Sequence, residues 1–296
     1  MAATRLTSPL KTVLVAALLA VSATASGAAQ DAQPQRIVSL NVCADQLLID
    51  LVDPSRIAAV SYLAADPSLS VVAAKARGLP VTRGEAESVL AFDPDLILAG
   101  AYSTPATVSI LERLGRRVVK VGQADDLEGV RRITRQVAKA VGETQRGEAL
   151  IARMDQKISK SRAGGLARQH GQSLSALVYQ VNGLSAGPGT LADALLQLAG
   201  FRNQATVLGL GAGARANLET LVENPPDLIV LSGPKDEYRT VVAENLRHPA
   251  LAHVIATHAA VVVPWRYWLC STPHVAEAVD RLAAARSELE AGRTGR

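Results

Sequence analysis

The sequence predicts an α/β protein built as two lobes, each around a parallel sheet. Three observations predict it. Short β-branched runs alternate with amphipathic stretches along the chain, the two halves share a phrase, and a long one-faced helical stretch lies between them. In the first half, residues 36–40, 56–60, 95–99 and 117–121 read as strands, and residues 43–52, 107–114 and 125–141 as helices, the first ending at Asp53-Pro54. Residues 141–162 are Pro-free and mostly polar, with one apolar stripe at Leu150, Ile151, Met154 and Ile158, the spacing of a helix with a single packed face. Twenty such residues reach about 30 Å. Ala163-Gly164-Gly165 reads as its stop. The second half restarts the pattern, with strands at 176–181, 227–231 and 260–263 and helices at 191–199, 244–254 and 274–289. The expected division is a leader at 1–29, an N-terminal lobe at 34–140, a helix at 141–165, a C-terminal lobe at 172–290 and a disordered tail at 291–296.

The shared phrase is a Glu, six residues, then Pro-Asp-Leu-Ile opening an aliphatic strand. It starts at Glu87 in one half and at Glu219 in the other. Each copy reads as a short helix opened near its Glu, a breaking Pro and a buried strand.

Composition limits the function. Of 296 residues, 48% are hydrophobic and 20% charged, enough for a large core and against disorder. The formal charge is +4, but Arg5 and Lys11 fall in the expected leader, and without them 29 basic residues face 27 acidic ones, a net of +2. That balance offers no footprint for nucleic acid. Residues 12–23 form an apolar run between two positive charges and small residues, the order of a secretory signal peptide and too short to span a bilayer. The expected mature chain is exported, has no membrane span, and keeps Cys43 and Cys270 in an oxidising space.

Only nine residues are aromatic. Tyr62, Tyr102, Tyr238, Trp265, Tyr267 and Trp268 follow predicted strands, Tyr179 lies in one, and Phe92 and Phe201 read as core. Ligands of open parallel sheets bind beyond the carboxyl ends of the strands. The run Trp265-Arg266-Tyr267-Trp268 suits stacking on a large flat ligand.

The opening RIVSLNVCADQLL, the strand and Tyr62 of RIAAVSYL, the repeated Glu-to-Pro-Asp phrase and the middle helix together resemble the periplasmic substrate-binding proteins of ABC importers. The subgroup is the one that carries vitamin B12, haem and ferric siderophores. The resemblance runs from Arg36 to about Leu289. It implies two α/β lobes joined by a single long helix (the class III arrangement), a ligand in the gap between them, and ABC permease and ATPase subunits as partners. It also implies that Glu87 and Glu219 dock on the permease. Apart from the resemblance, both read first as ordinary first-turn helix acids favoured by the dipole; Glu85 is a close competitor for Glu87.

The expected ligand wall is Asn41, Cys43, Tyr62, Arg83, Tyr102, Tyr179, Asn182, Tyr238, Trp265, Arg266, Trp268 and Cys270. In it, Asn41 and Asn182 are hydrogen-bond partners, and Arg83 and Arg266 are counter-charges for an anionic ligand. Three states are open for the cysteines. Free, cleft-lining thiols rank ahead of a disulfide, since a bridge would tie the lobes together, and metal ligation ranks third. His248, His253 and His258 are five apart and do not share a helix face. Gly187-Pro188-Gly189-Thr190 lacks the lysine of a P-loop, and Thr190 reads as an N-cap. No catalytic constellation, cofactor or protein-bound metal is predicted. The reading is a periplasmic carrier of a large metal chelate; the alternative is an exported α/β enzyme using the same gap.

Overall fold

The computed structural model describes residues 33–166, 173–233 and 248–294. The expected leader and Tyr238 lie outside them, as does the start of the helix predicted at 244–254. From Pro34 onward the chain forms one compact unit.

The first half runs β1 (Ile37–Ser39), α1 (Val42–Leu51), β2 (Ile57–Ser61), α2 (Ala73–Ala76), β3 (Val81–Thr82), α3 (Ala86–Leu90), β4 (Leu96–Gly100), α4 (Pro105–Arg113), β5 (Val118–Val121) and α5 (Leu127–Ala140). After α6 (Thr144–Leu166) come β6 (Ser175–Val178), α7 (Leu191–Leu198), β7 (Arg202–Asn203), α8 (Gln204–Val207), α9 (Leu218–Glu223), β8 (Leu228–Leu231), α10 (Pro249–Thr257), β9 (Ala259–Val262) and α11 (Val275–Thr294). All pairings between these strands are parallel, in the orders β3-β2-β1-β4-β5 and β7-β6-β8-β9. Central strands such as β4 and β8 read as unbroken aliphatic runs because helices cover both faces.

The repeated phrase has a structural cause. In the first copy, the Asp95 carboxylate accepts from the backbone N–H of Gln35 (2.6 Å) and of Arg36 (3.0 Å), just before β1. In the second, Asp227 accepts from the N–H of Ser175 (2.7 Å), which opens β6. Each aspartate thus clips its strand to the neighbour it pairs with. Glu87 and Glu219 stand exposed in the first turns of α3 and α9.

The stripe Leu150, Ile151, Met154 and Ile158 is buried, as the spacing of α6 predicts. Gly142, at φ 75°, reverses the chain between α5 and α6, so α6 begins after it rather than at Val141. Two corrections follow. The helix runs through Ala163-Gly164-Gly165 to Leu166, because glycine weakens a helix by about 1 kcal/mol without ending it. The last helix continues to Thr294, past the predicted stop near Leu289. Thr190 caps α7 as the sequence predicts, accepting from the Asp193 N–H (3.2 Å), and the Gly189 N–H beside it donates to Asp193 (3.1 Å). The helix α6 packs on α5 and α11, one from each half. Lys157 of α6 pairs with Glu277 of α11 (2.5 Å), and Arg131 of α5 with Asp155 of α6 (2.7 Å).

Candidate functional site

In an open parallel sheet the crevice lies where successive connections leave the strands in opposite directions. In the second sheet that point falls between β6 and β8. A pocket of about 160 Å³ occurs there, lined by Tyr179, Gln180 and Val181 beyond β6, Leu184, Leu231, Ser232 and Gly233 at the end of β8, and Trp265 after β9. Tyr179 is only 1% exposed, its ring packed in the core. Trp265 is half-buried and begins a single 3-10 turn over Trp265–Tyr267. The Ser232 hydroxyl is buried without a hydrogen-bond partner among the described residues, and Ser232 lines the pocket.

In the first sheet the equivalent point falls between β1 and β4. There the Asn41 side chain accepts from the Cys43 N–H (2.9 Å) and caps α1. Gly100, ending β4, is required because a Cβ on it would lie 2.3 Å from the Asn41 side chain. Asn41 is therefore bound up in capping and close packing. Beside it, a pocket of about 390 Å³ opens at the ends of β4 and β5, lined among others by Gly100, Ser103, Val108 and Val121. Tyr62, beyond β2, is 58% exposed, and Tyr102, beyond β4, is 76% exposed with its hydroxyl donating to Gln123 (3.2 Å). Arg83 is exposed directly after β3.

The segment after β9 crosses to the first half. Arg266 donates to the Pro67 carbonyl (3.0 Å), which brings the Trp265–Tyr267 turn against the loop that follows Tyr62. Cys43 and Cys270 form a disulfide with Cα atoms 5.0 Å apart. This corrects the ranking of free thiols: the cysteines are a bridge, and Cys270 is buried. Trp268 also differs from expectation. At 6% exposure it packs in the core, and its indole N–H has no partner among the described residues. Of the predicted wall, then, Tyr179 and Trp265 share a pocket and Arg266 touches the Tyr62 loop, while Tyr102 stands exposed beyond β4. Asn182 falls in the Val181–Gly183 turn, and its side chain, like Tyr238, lies outside what is described.

Sequence reasoning missed the buried polar groups of α1. Asp45 accepts from the Ser61 N–H (3.1 Å) and hydroxyl (2.5 Å), and burial, only partly offset by these bonds and one from Ser39, pushes its carboxyl up to about 7. Burial likewise pushes Asp50 up, but His274 and Lys75, each 2.6 Å away, outweigh it and hold the carboxyl below its ordinary value. For Gln46 and Asp50 the signal was present: with Cys43 they share one face of a helix whose only other polar residue is Asp45. Among the described residues no three His, Cys, Asp or Glu are placed to hold a metal ion. His248 caps α10, His253 lies within it and His258 ends it. No helix of the described residues is long and apolar enough to cross a membrane.

Two parallel α/β halves that present aromatic side chains beyond their strand ends define a cleft-type binding fold. Residues 37–266 match the family model described as periplasmic binding protein, and the chain belongs to that family. A cobalamin-binding protein of Halobacterium salinarum is 25% identical over 263 residues, covering 86% of this chain and 70% of that one. Among solved structures, the periplasmic heme-binding protein RhuT of Roseiflexus sp. RS-1 superposes with a TM-score of 0.71 at 22% identity, over 86% of this chain and 99% of that one. The periplasmic vitamin B12-binding protein BtuF of Vibrio cholerae gives 0.65 at 16%, over 87% and 98%.

Proposed function

We propose that this protein captures one large metal chelate (a corrinoid, haem or ferric siderophore) in the gap between its halves and delivers it to an ABC permease. The observation that carries this reading is the pocket at the switch point of the second sheet, which Tyr179 and Trp265 both line and where the buried Ser232 hydroxyl has no partner among the described residues. Relatives named for cobalamin and heme support the ligand class. In this reading Tyr62, Tyr102, Arg83 and Arg266 face the ligand from the other side, Asn182 and Tyr238 complete the second wall, and Asn41, Cys43, Cys270 and Trp268 hold the wall in place. Residues 1–29 are a leader removed on export to the periplasm, residues 34–140 and 172–290 are the lobes, and residues 141–165 join them.

The test is a titration of the oxidised protein with cyanocobalamin, haemin and a ferric hydroxamate, followed by tryptophan fluorescence and thermal shift. Saturable quenching by one of them at micromolar concentration, with a higher melting temperature and unchanged ligand, is the expected result. Conversion of the ligand to product would instead support the enzyme reading. Trp265→Ala is expected to weaken binding by about 2 kcal/mol, roughly thirtyfold, as removal of a buried aromatic anchor does. Equal affinity in the variant would remove Trp265 from the site.

Glu87 and Glu219 are proposed as the permease contacts, because two exposed carboxylates in matching positions of the halves can meet two basic pockets. The double variant Glu87→Arg, Glu219→Arg is expected to bind ligand as tightly as the wild type while losing stimulation of the transporter's ATPase. Full stimulation by the variant would assign docking to other residues.

A further inference from the structure

We infer that residues 265–274, which follow the last strand of the second sheet, are anchored to the first half as a fixed wall of the ligand gap, with the Cys43–Cys270 disulfide as the positioning element. The inference rests on the proposed ligand gap, but its geometry stands without it. Five residues of this segment tether it to the first half. Arg266 donates to the Pro67 carbonyl (3.0 Å), and Cys270 is bonded to Cys43. The Ala124 N–H donates to the Ser271 hydroxyl (2.8 Å), Thr272 donates to Gln46 Oε1 (3.3 Å), and His274 Nε2 lies 2.6 Å from Asp50 Oδ2.

The two partners match in register. Cys43, Gln46 and Asp50 are spaced three and four apart along one face of α1, a rise of about 10 Å. Cys270, Thr272 and His274 meet these residues in the same order along a bent segment, in which the Thr272 N–H donates to Cys270 O (2.9 Å) and the Val275 N–H to Thr272 O (3.1 Å). The other end of the segment stays on the second sheet, where the Val263 N–H donates to Leu231 O (2.8 Å) and the Trp265 N–H to Ser232 O (2.9 Å). Trp265 is thus held between a hydrogen-bonded strand end and a covalent bridge five residues on.

Sliding of one half over the other must break the Thr272 and His274 contacts and then meets the disulfide. The width of the gap at Trp265 is set before ligand arrives, and a wall ordered in advance slows ligand escape by sparing the cost of ordering it on binding. Reduction frees the wall to move with the second half alone.

The chain's two tryptophans both lie in this segment, so their fluorescence reports on it without added label. Acrylamide quenching is measured on ligand-free protein, oxidised and reduced with a phosphine, under conditions where far-ultraviolet circular dichroism is unchanged. The Cys43→Ser, Cys270→Ser double variant serves as a second reduced state, and whichever of the two remains folded is read. The expected result is at least a twofold rise in the quenching constant, as Trp268 becomes accessible. Dissociation of whichever of cyanocobalamin, haemin or ferric hydroxamate binds is then expected to speed up about tenfold, with little change in association. A quenching constant that stays the same, or equal dissociation rates in the two redox states, overturns the inference. If none of the three binds the oxidised protein, the proposed function fails, and the quenching result still decides whether the wall is anchored.

Discussion

Reducing the Cys43–Cys270 bridge lowers the unfolding free energy by about 5 kcal/mol. The bridge joins residues 227 apart, and the loop entropy that a cross-link of this length removes from the unfolded chain amounts to roughly 5 kcal/mol. This entropy acts on the unfolded chain, so this part of the effect does not depend on how far the 265–274 wall loosens in the folded protein. Urea unfolding with and without reductant measures it. With a slope of about 3 kcal/mol per molar urea, the midpoint is expected to fall by roughly 1.5 M. A loss under about 1 kcal/mol would contradict the chain-entropy account.

Raising the pH from 5 to 8 weakens the fold through Asp45. Its folded pKa, about 7, lies above the ordinary 3.8, so across the interval between them the folded chain keeps a proton that the unfolded chain has lost. Stability therefore falls as pH rises through that interval. The contribution is complete below the ordinary carboxylate pKa and is gone above the folded one. Between pH 5 and 8 the change is about 3 kcal/mol, at 1.36 kcal/mol for each pKa unit. Asp50 has the opposite sign: its carboxyl is held low, so its contribution is lost as pH falls. The two are separated by Asp45→Asn, which keeps the shape and removes the titration. The variant is expected to gain on the wild type by about 3 kcal/mol between pH 5 and 8 in urea unfolding. Parallel pH profiles for the two proteins would show that Asp45 does not carry the shift.

Much of this fold is legible in the sequence because buried parallel strands and amphipathic helices are written in local pattern. The aliphatic runs at Leu96–Gly100 and Leu228–Leu231 and the stripe on α6 fall where periodicity puts them. The Pro-Asp phrase marks equivalent strand junctions because its aspartate clips the neighbouring strand in both halves. Two-residue edge strands such as β3 and β7 carry no period and were invisible. Helix ends were misplaced where glycine weakens a helix without stopping it, as at the end of α6.

The candidate site was legible in part. The aromatics in or just beyond predicted strands include Tyr179 and Trp265, which line one pocket. Trp268 has the same sequence position relative to its strand but turns into the core, a choice made by packing that spacing cannot express. From sequence the cysteine bridge ranks second, because a tie between the lobes would oppose ligand entry. It pairs residues far apart in sequence, and only the folded chain shows residues 270–274 lying along α1. Asp45 escaped notice because a buried carboxyl in a helix looks like any surface acid until its neighbours are known.

The central claim is that one chelate sits between the two halves, against the Tyr62 loop on one side and the Tyr179–Trp265 pocket on the other. A crystal structure of the oxidised protein with the tightest ligand of the titration tests it most directly. The account predicts ligand density in contact with Trp265 and with residues of the first half at once. Density confined to the groove of about 540 Å³ between Asp227, His258 and Leu289, at the opposite ends of the strands, would contradict it.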